Sequence, residues 1–277
     1  MPIRRRLATC PTKSRANGGG LGYNLADMTP ESAAVASTPP PAGMSEISRI
    51  AGVFFEPAKT FEDVAQRPAF IVPLVLVILF SLVYTGLYSQ HVGWERMIRR
   101  QMETNTRAAQ LPPEQRETQI QMGLKIAPIF GYAISLVGVP LGYLIAAAVL
   151  LAMVKIMSAP TRLSQVYAVL CYAGVTGIIF IVLAIAVMFL KNPDDFDIQN
   201  PLAFNLGALL DPNSGSKFVY TLATSMDLFS IWKIVLIAIG LKATGGRSLS
   251  FTGALFAVLI PWGIWVLCAA ALAGVRG

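Results

Sequence analysis

The chain has 277 residues, of which 55% are apolar and only 13% are charged, and its formal net charge is +7. Its mean hydropathy is +0.60, which excludes an ordinary soluble globular domain. A hydrocarbon core of about 30 Å needs about 20 consecutive apolar residues in a helix. The apolar runs of this chain are continuous and do not alternate as barrel strands do, so they predict a helical membrane protein.

Residues 1–43 form an amino-terminal arm rich in glycine and proline, with "RRR" near its start and "STPPPAG" near its end. Few large apolar residues occur in it, so burial cannot offset the entropy of ordering. We expect a disordered arm, or an extension upstream of a start at Met28 or Met44. The sequence "LATCPTKSRANGGG" follows the arginines where a secretion signal would have an apolar segment. No secretion signal is therefore predicted.

Residues 44–69 are predicted to form an interfacial amphipathic segment, or foot, before the first apolar run. One helix face is apolar at positions i, i+3, i+4 and i+7, namely Ile47, Ile50, Ala51 and Phe54. A second short helix is expected to begin at Thr60, with Asp63 three residues on as in a capping box. The apolar faces can be buried at the headgroup boundary or against the side of the bundle. A plain connector would leave the phenylalanines exposed and is less favoured.

The remainder, residues 70–275, is predicted to be an all-α bundle of five transmembrane helices. The spans are expected at about 70–89, 126–154, 166–190, 218–241 and 251–275. The second run is longer than one straight crossing needs, which predicts tilt or a bend at Pro140.

Loop charge predicts the orientation of these spans. The loop with Lys155 and Arg162 and the loop with Lys242 and Arg247 contain no acidic residue, so both are expected inside. The aspartate-rich loop after the third span suits the outside. The amino terminus is then cytoplasmic and the carboxyl terminus outside. Residues 90–125 carry six basic residues and four glutamates, against this rule, and are predicted to form a solvated helical hairpin broken at Pro112 and Pro113.

Few side chains suit catalysis or metal binding. The single histidine, His91, has no partner set for a metal site or a triad. Cys10, Cys171 and Cys268 are far apart, and two of them lie within spans. The acidic turn at Asp194, Asp195 and Asp197 lacks the glycine and distal glutamate of a calcium loop. No catalytic, cofactor-binding or metal-binding residue is therefore predicted.

Asp227 and Lys233 are the only charges within a predicted span, and a charge in a membrane is by default a functional hypothesis. Six residues apart on a helix, they point in different directions and cannot pair directly. Two geometries remain open. In the first, Asp227 lies within one long helix and is partly immersed in the membrane. In the second, Asp227 caps a helix that follows a short surface helix from Lys217 to Thr224. A break at Asp227 is the favoured geometry.

Gly138, Gly142 and Ala146 stand at four-residue steps in the second span. Such a stripe of small residues allows another helix to approach closely, so the second span is predicted to be a contact helix.

Two stretches, "FFEPAKTFEDVAQRPAFIVPL" and "NPLAFNLGALLDP" followed by "SMDLFSIWKIVLIAIGLKA", resemble the bacterial branch of the Yip1 domain family. "VYAVLCYAGV" is similar to the family's third-span segment. The resemblance covers about residues 45–273. It implies a five-span membrane fold and the candidate motif residues Phe54, Phe55, Pro57, Thr60, Phe61, Tyr172, Asp227, Phe229, Trp232 and Gly240.

The Asp-Leu-Tyr-Gly-Pro motif of eukaryotic Yip1 members is missing, and "AGV" replaces the proline that often follows the third-span tyrosine. The resemblance therefore implies the membrane role but does not support binding of Rab-type GTPases.

Two functions from different classes are predicted. The first is a non-enzymatic scaffold or membrane-organising protein whose glycine face binds a second copy or another membrane protein. The second is a small transporter or permease component that uses Asp227 and a broken fourth helix. The expected partners are membrane lipids, further copies of the chain or other membrane proteins, and not nucleic acid. The expected location is a bacterial cytoplasmic membrane.

Overall fold

The computed structural model of the chain describes residues 43–104, 110–198, 200–210 and 216–276. The predicted amino-terminal arm and Cys10 lie outside the described residues, apart from Gly43. Within the described part the protein is all-α, as predicted, with one isolated β-bridge between Asn205 and Asp227.

The helices follow one another in a simple order along the chain. They are α1 (Glu46–Phe55), α2 (Pro57–Gln66), α3 (Ile71–His91), α4 (Trp94–Thr104), α5 (Pro113–Ala133), α6 (Val139–Ile156), α7 (Leu163–Val175), α8 (Gly177–Leu190), α9 (Lys217–Ser225), α10 (Leu228–Gly245) and α11 (Phe251–Arg276). Short 3₁₀ turns lie at Pro193–Asp195, Leu206–Leu209 and Gly246–Ser248, and a π turn lies at Ile134–Gly138.

Five helical stretches of the described chain are long and apolar enough to cross a bilayer, which confirms the predicted fold class. They are Ile71–His91, Pro113–Ile156, Leu163–Leu190, Leu228–Ser248 and Phe251–Val275. The fourth stretch begins ten residues later than the predicted 218–241. The reason is that α9 and α10 are separate helices. At its other end α10 stops where Gly246 adopts a positive φ of 59°, which glycine tolerates well.

The second span is one long helical stretch with a π turn, and this irregularity lies just before the predicted bend at Pro140. Proline offers no backbone donor and its ring crowds the preceding turn, so a widened turn accommodates it. Within this turn the Ser135 hydroxyl lies 3.0 Å from the hydroxyls of both Ser81 and Thr85 on α3. These hydrogen bonds tie the first span to the second.

The helical hairpin predicted at residues 90–125 corresponds to α4 and the first part of α5, which begins at Pro113 and packs against α4. Helix α5 then runs on into the second span. Trp94 donates a hydrogen bond to Ser89 over 3.0 Å, and its ring covers Gly131. The Nε atom of Arg96 lies 2.6 Å from Oδ1 of Asp194. The basic loop and the acidic loop therefore lie at the same end of the bundle, where they compensate each other's charge.

Helix α7 is the central helix of the bundle, because its residues from Val166 to Val175 are all buried. It contacts α2, α3, α6 and α10. A helix that is apolar all round, as α7 is, belongs inside a helical core.

Helices α1 and α2 form a compact pair, here called the hairpin, which packs against α7 and α10. The apolar faces were expected at the headgroup boundary or against the bundle. The apolar face of α2 is buried against the bundle, where Thr60, Phe61 and Val64 are fully buried. The end of the bundle that holds the hairpin is called the hairpin end.

One detail predicted for the foot, residues 44–69, is wrong. Helix α2 begins at Pro57 and not at Thr60, because proline suits the first turn of a helix, and the Thr60 hydroxyl donates to the Glu56 carbonyl over 3.0 Å. The buried face of α1 comprises Arg49, Gly52 and Val53, whereas Ile47 of the predicted apolar face is exposed. The reason is that charge pairing buries Arg49.

We predict that Phe61→Ala destabilises the protein by about 3–5 kcal/mol, because it leaves a cavity where a fully buried ring was. The measurement is the unfolding temperature of the purified protein in mild detergent. The matched control is Phe55→Ala, whose side chain is 85% exposed and whose loss should leave that temperature nearly unchanged. Equal effects of the two substitutions would contradict this packing.

Candidate functional site: the hairpin and the helix break

The stretches that carried the family resemblance contact one another although they are far apart in the chain. The rings of Phe54 and Trp232 meet edge to face, with centroids 5.7 Å apart. A Cβ atom at Gly240 would lie 3.1 Å from Cδ1 of Phe61 and would overlap Val169. Glycine at this position therefore lets α2 and α7 both lie against α10.

A buried network of charged side chains joins the two helices of the hairpin. The Nε and Nη2 atoms of Arg49 each lie 2.6 Å from Oδ2 of Asp63, and Nη1 lies 3.1 Å from Oε1 of Glu46. Oδ1 of Asp63 accepts a hydrogen bond from the backbone nitrogen of Met44 over 3.2 Å. The Arg49 side chain is only 3% exposed, so this ion pair is shielded from water.

Tyr172 connects this network to the central helix. Its hydroxyl donates to Oε2 of Glu46 over 2.5 Å. Burial by itself would lower the pKa of the Arg49 guanidinium, but hydrogen bonds with Tyr172 and Asp63 outweigh it and the pKa is raised. The charged form of Arg49 is therefore the form that this environment favours.

Other motif residues of the hairpin have separate positions. Thr60 is buried against Gly52, where a Cβ atom would overlap its hydroxyl. Pro57 starts α2. Phe55 points away from the network and is exposed together with Ile47. Most of the motif residues of the hairpin therefore hold its two helices in place, whereas Phe55 is exposed on its surface.

Asp227 caps α10, which is the second of the two geometries left open. Its Oδ1 atom accepts hydrogen bonds from the backbone nitrogens of Phe229 and Ser230, both over 2.9 Å. The ring of Phe229 meets that of Phe180 edge to face, with centroids 5.5 Å apart. Since the N-cap is a preferred position for aspartate, this carboxylate has a structural role whatever else it does.

A cavity of about 290 Å³ lies beside Asp227. Its wall combines amides, hydroxyls and aromatic rings, including Asn200, Asn205, Ser230, Trp262 and Trp265. This wall can offer hydrogen bonds and ring faces to a small polar or cationic group.

The stripe of small residues is not covered by a neighbouring helix in the described part of the chain. A Cβ atom at Gly142 would meet nothing within 4 Å, and the three atoms nearest to one at Gly138 all belong to Ile134 of its own helix. Ala146, further along, packs at the margin of the core. The close helix approach that the stripe allows is thus not used within the chain, and Gly138 and Gly142 line a second cavity of about 490 Å³.

The charge network is the feature that sequence reasoning missed. The capping-box pattern predicts only a capping role for Asp63, and the apolar periodicity of α1 leaves Arg49 off the face that is expected to be buried. A usable signal exists, since Arg49 lies seven residues before Glu56 and Asp63 seven residues after it. If the chain reverses at Glu56 and Pro57, equal spacing brings these two opposite charges together.

Comparison with known proteins identifies the family of the chain. The model of the Yip1 domain matches residues 51–273. The chain belongs to the Yip1 domain family. It is also 26% identical over 199 residues to the membrane protein YknW of Bacillus subtilis (strain 168), an alignment that covers 71% of this chain and 78% of that protein. No solved structure matches the chain. The match covers α1 from Ala51 onward, α2 and the five spans as far as residue 273, and these belong to the Yip1 domain of this integral membrane protein.

We predict that Asp63→Asn lowers the free energy of unfolding by about 3 kcal/mol, because it leaves Arg49 buried without its closest counter-charge. The unfolding temperature in detergent measures this loss. The control is Glu56→Gln, which removes an ion pair with Lys59 that is largely exposed and should cost less than about 0.5 kcal/mol. If Asp63→Asn cost no more than this control, the network would not stabilise the hairpin.

Proposed function

We propose that this Yip1 family protein is a non-enzymatic scaffold that organises the membrane around it by holding the hairpin in the cytoplasmic leaflet. In this proposal it resides in a bacterial cytoplasmic membrane, with its amino terminus and the hairpin inside and its carboxyl terminus outside. The family membership and the loop charges support this arrangement.

The observation that carries the proposal is that α1 has two different faces. Arg49, Gly52 and Val53 are buried towards the bundle. On the other side Ile47, Ala51 and Phe55, at positions i, i+4 and i+8, are exposed, with Ile47 at 80% and Phe55 at 85%. These three residues are called the outer stripe. The buried ion pairs fix the orientation of α1, so the outer stripe points away from the bundle, where lipid or a partner can contact it.

The depth of the hairpin favours lipid as the first contact of the outer stripe. Tyr172 is nine residues along the third span from Leu163, or about 14 Å, and side chains of a helix lean towards its amino terminus. Its hydroxyl therefore meets Glu46 within the cytoplasmic half of the bilayer. An apolar helix face at this level inserts between headgroups and acyl chains, which spreads one leaflet relative to the other.

A scaffold also needs contact with other proteins, and the face of Gly138, Gly142 and Ala146 is the proposed surface for a second copy or another membrane helix. Small residues favour such contact in lipid because they let backbones approach. The side chains around Gly142 leave this face open.

We predict that Ile47→Ser combined with Phe55→Ser abolishes insertion of α1 into the leaflet, because a polar surface gains nothing from the acyl region. A nitroxide placed at Ser48 of the protein in vesicles would report accessibility to oxygen, which concentrates in lipid, against a water-soluble nickel chelate. Vesicle diameter at fixed protein density is the functional measurement, and the unsubstituted stripe should give smaller vesicles.

The control for this experiment is Ile156→Ser, which removes an equally exposed apolar side chain at the end of α6. It should leave both the accessibility at residue 48 and the vesicle diameter unchanged. A water-accessible residue 48 in the unsubstituted protein would refute the leaflet role. Cross-linking to another protein through the outer stripe would assign the stripe to partner binding instead.

A second candidate function, passage of a small solute, is favoured by the cavity beside Asp227. A carboxylate at a helix break, next to Trp262 and Trp265, suits a lipophilic cation. In this candidate the charge of Asp227 attracts the solute and the separation of α9 from α10 provides the opening.

For this candidate we predict that Asp227→Asn keeps the fold and reduces efflux of the lipophilic cation ethidium from cells that overproduce the protein. Asparagine caps a helix about as well as aspartate, so the substitution removes charge without removing the cap. Asp227→Ala should in addition cost about 1 kcal/mol of stability. Asp195→Asn, an exposed charge at the same end, is the control. Unchanged efflux in a folded Asp227→Asn protein would eliminate this function.

A further inference from the structure

Lys233 is a charged side chain within the fourth span that neither function uses. The ammonium lies over the ring of Tyr143, 5.2 Å from its centroid. It forms no ion pair or hydrogen bond with the residues that the structure describes. A charge in an apolar environment needs a partner of opposite charge or water, so the surroundings of Lys233 decide what it can bind.

The surroundings of Lys233 form the larger cavity, of about 490 Å³, between the first, second, third and fourth spans. Four glycines open its wall, namely Gly138, Gly142, Gly174 and Gly177. The volume is in the range of pockets that hold a small organic molecule. Because nothing would contact a side chain at Gly142, the cavity opens beside this glycine towards the outer surface of the bundle, where lipid lies.

Two donors reach this cavity. One is the Lys233 ammonium. The other is the Tyr143 hydroxyl, which lies against Gly174 and has no hydrogen-bond partner among the described residues. Ser81 also borders the cavity, but its hydroxyl already bonds Ser135. One cation and one hydroxyl match the two oxygens and single charge of a carboxylate, whereas a phosphate would leave most of its acceptors unsatisfied.

The depth of the cavity suits a molecule that enters from the leaflet opposite the hairpin end. Lys233 is the sixth residue of α10, about 8 Å from the start of that helix. Gly142 is fourteen residues before Ile156, about 21 Å from the hairpin end of the second span. In a core of about 30 Å, both positions lie about 8 Å inside the opposite boundary. A carboxylate there can reach Lys233 while its chain remains among acyl chains.

We propose that this cavity binds an amphiphilic monocarboxylate of the fatty-acid class, with the carboxylate between Lys233 and Tyr143 and the acyl chain along Gly138 and Gly142. Charge complementarity selects the head group, and the apolar wall selects the chain. This proposal does not depend on the leaflet role of the hairpin, which uses different residues. It does place the acyl chain on Gly138 and Gly142, the face that the scaffold proposal assigns to a second copy or another membrane helix.

The test uses the full chain in nanodiscs of phosphatidylcholine and a long-chain fatty acid that carries a photoreactive diazirine. The labelled peptides should be those that contain Gly138 to Tyr143 and Gly174 to Phe180, and unlabelled fatty acid should compete. Lys233→Met should weaken competition at least about tenfold, because it removes one partner of a buried charge pair. Tyr143→Phe should weaken it by a smaller factor, because it removes one hydrogen bond.

Three controls make the result specific. Lys242→Met removes an exposed lysine from the other end of the same helix and should leave labelling unchanged. Lys233→Arg keeps the charge and should retain labelling, which separates loss of charge from misfolding. Gly142→Leu should block the opening of the cavity towards lipid while Lys233 stays in place.

The proposal would be overturned if the methyl ester of the same fatty acid labelled the protein equally well, or if Lys233→Met had no effect. Labelling by a photoreactive phosphatidic acid without labelling by the carboxylate would assign the site to phosphate. If cysteines placed at Gly142 cross-linked two copies and fatty acid did not compete, a helix of a second copy would occupy this face.

Discussion

The arrangement of this protein depends on the ion pair between Arg49 and Asp63. Both groups belong to short helices that could not hold a fixed orientation alone, because isolated helices of this length are marginal in water. Placing the guanidinium out of water is costly unless its partners are close and well oriented. Asp63, Glu46 and the hydroxyl of Tyr172 satisfy this condition together. The hairpin is thereby held in one orientation against the central helix.

The close approach of three helices around Gly240 complements this electrostatic restraint. Phe61 from α2 and Val169 from α7 both occupy the space that a side chain at Gly240 would need. Because dispersion contacts weaken steeply with distance, a larger residue there would separate all three helices at once. The same geometry brings together two stretches that carried the family resemblance, one before the first span and one in the fourth, since they form the two sides of one contact.

At the opposite end the structure relies on interruptions of helices instead of on close packing. Asp227 ends the connection between α9 and α10, a π turn precedes Pro140, and the third span divides at Thr176 between α7 and α8. Irregular turns inside a membrane are tolerated where they line a cavity or are enclosed by protein. Both cavities described above lie beside such interruptions. The protein therefore has a compact half around the hairpin and a more open half around Lys233 and Asp227.

Much of the fold follows from the sequence. The lengths of the apolar runs predict five spans, because backbone groups in lipid must bond within a helix. The sequence also favoured the break at Asp227, since aspartate is a strong N-cap. The family resemblance named Phe54, Phe61, Trp232 and Gly240, but nothing in the spacing of these residues said that they touch.

Only the tertiary structure decided which face of the hairpin is buried and which glycines are covered. The hydrophobic pattern of α1 left open whether the face with Ile47 is buried at the headgroup boundary or against the bundle. The structure has Arg49 on the side buried against the bundle, because Asp63 and Glu46 lie opposite it. Gly240 and Gly142 cannot be distinguished by the sequence pattern. Val169 and Phe61 occupy the space beside Gly240, whereas the space beside Gly142 is open. Local propensity acts within a few residues, whereas these outcomes depend on charges and side chains that meet only after the chain has folded.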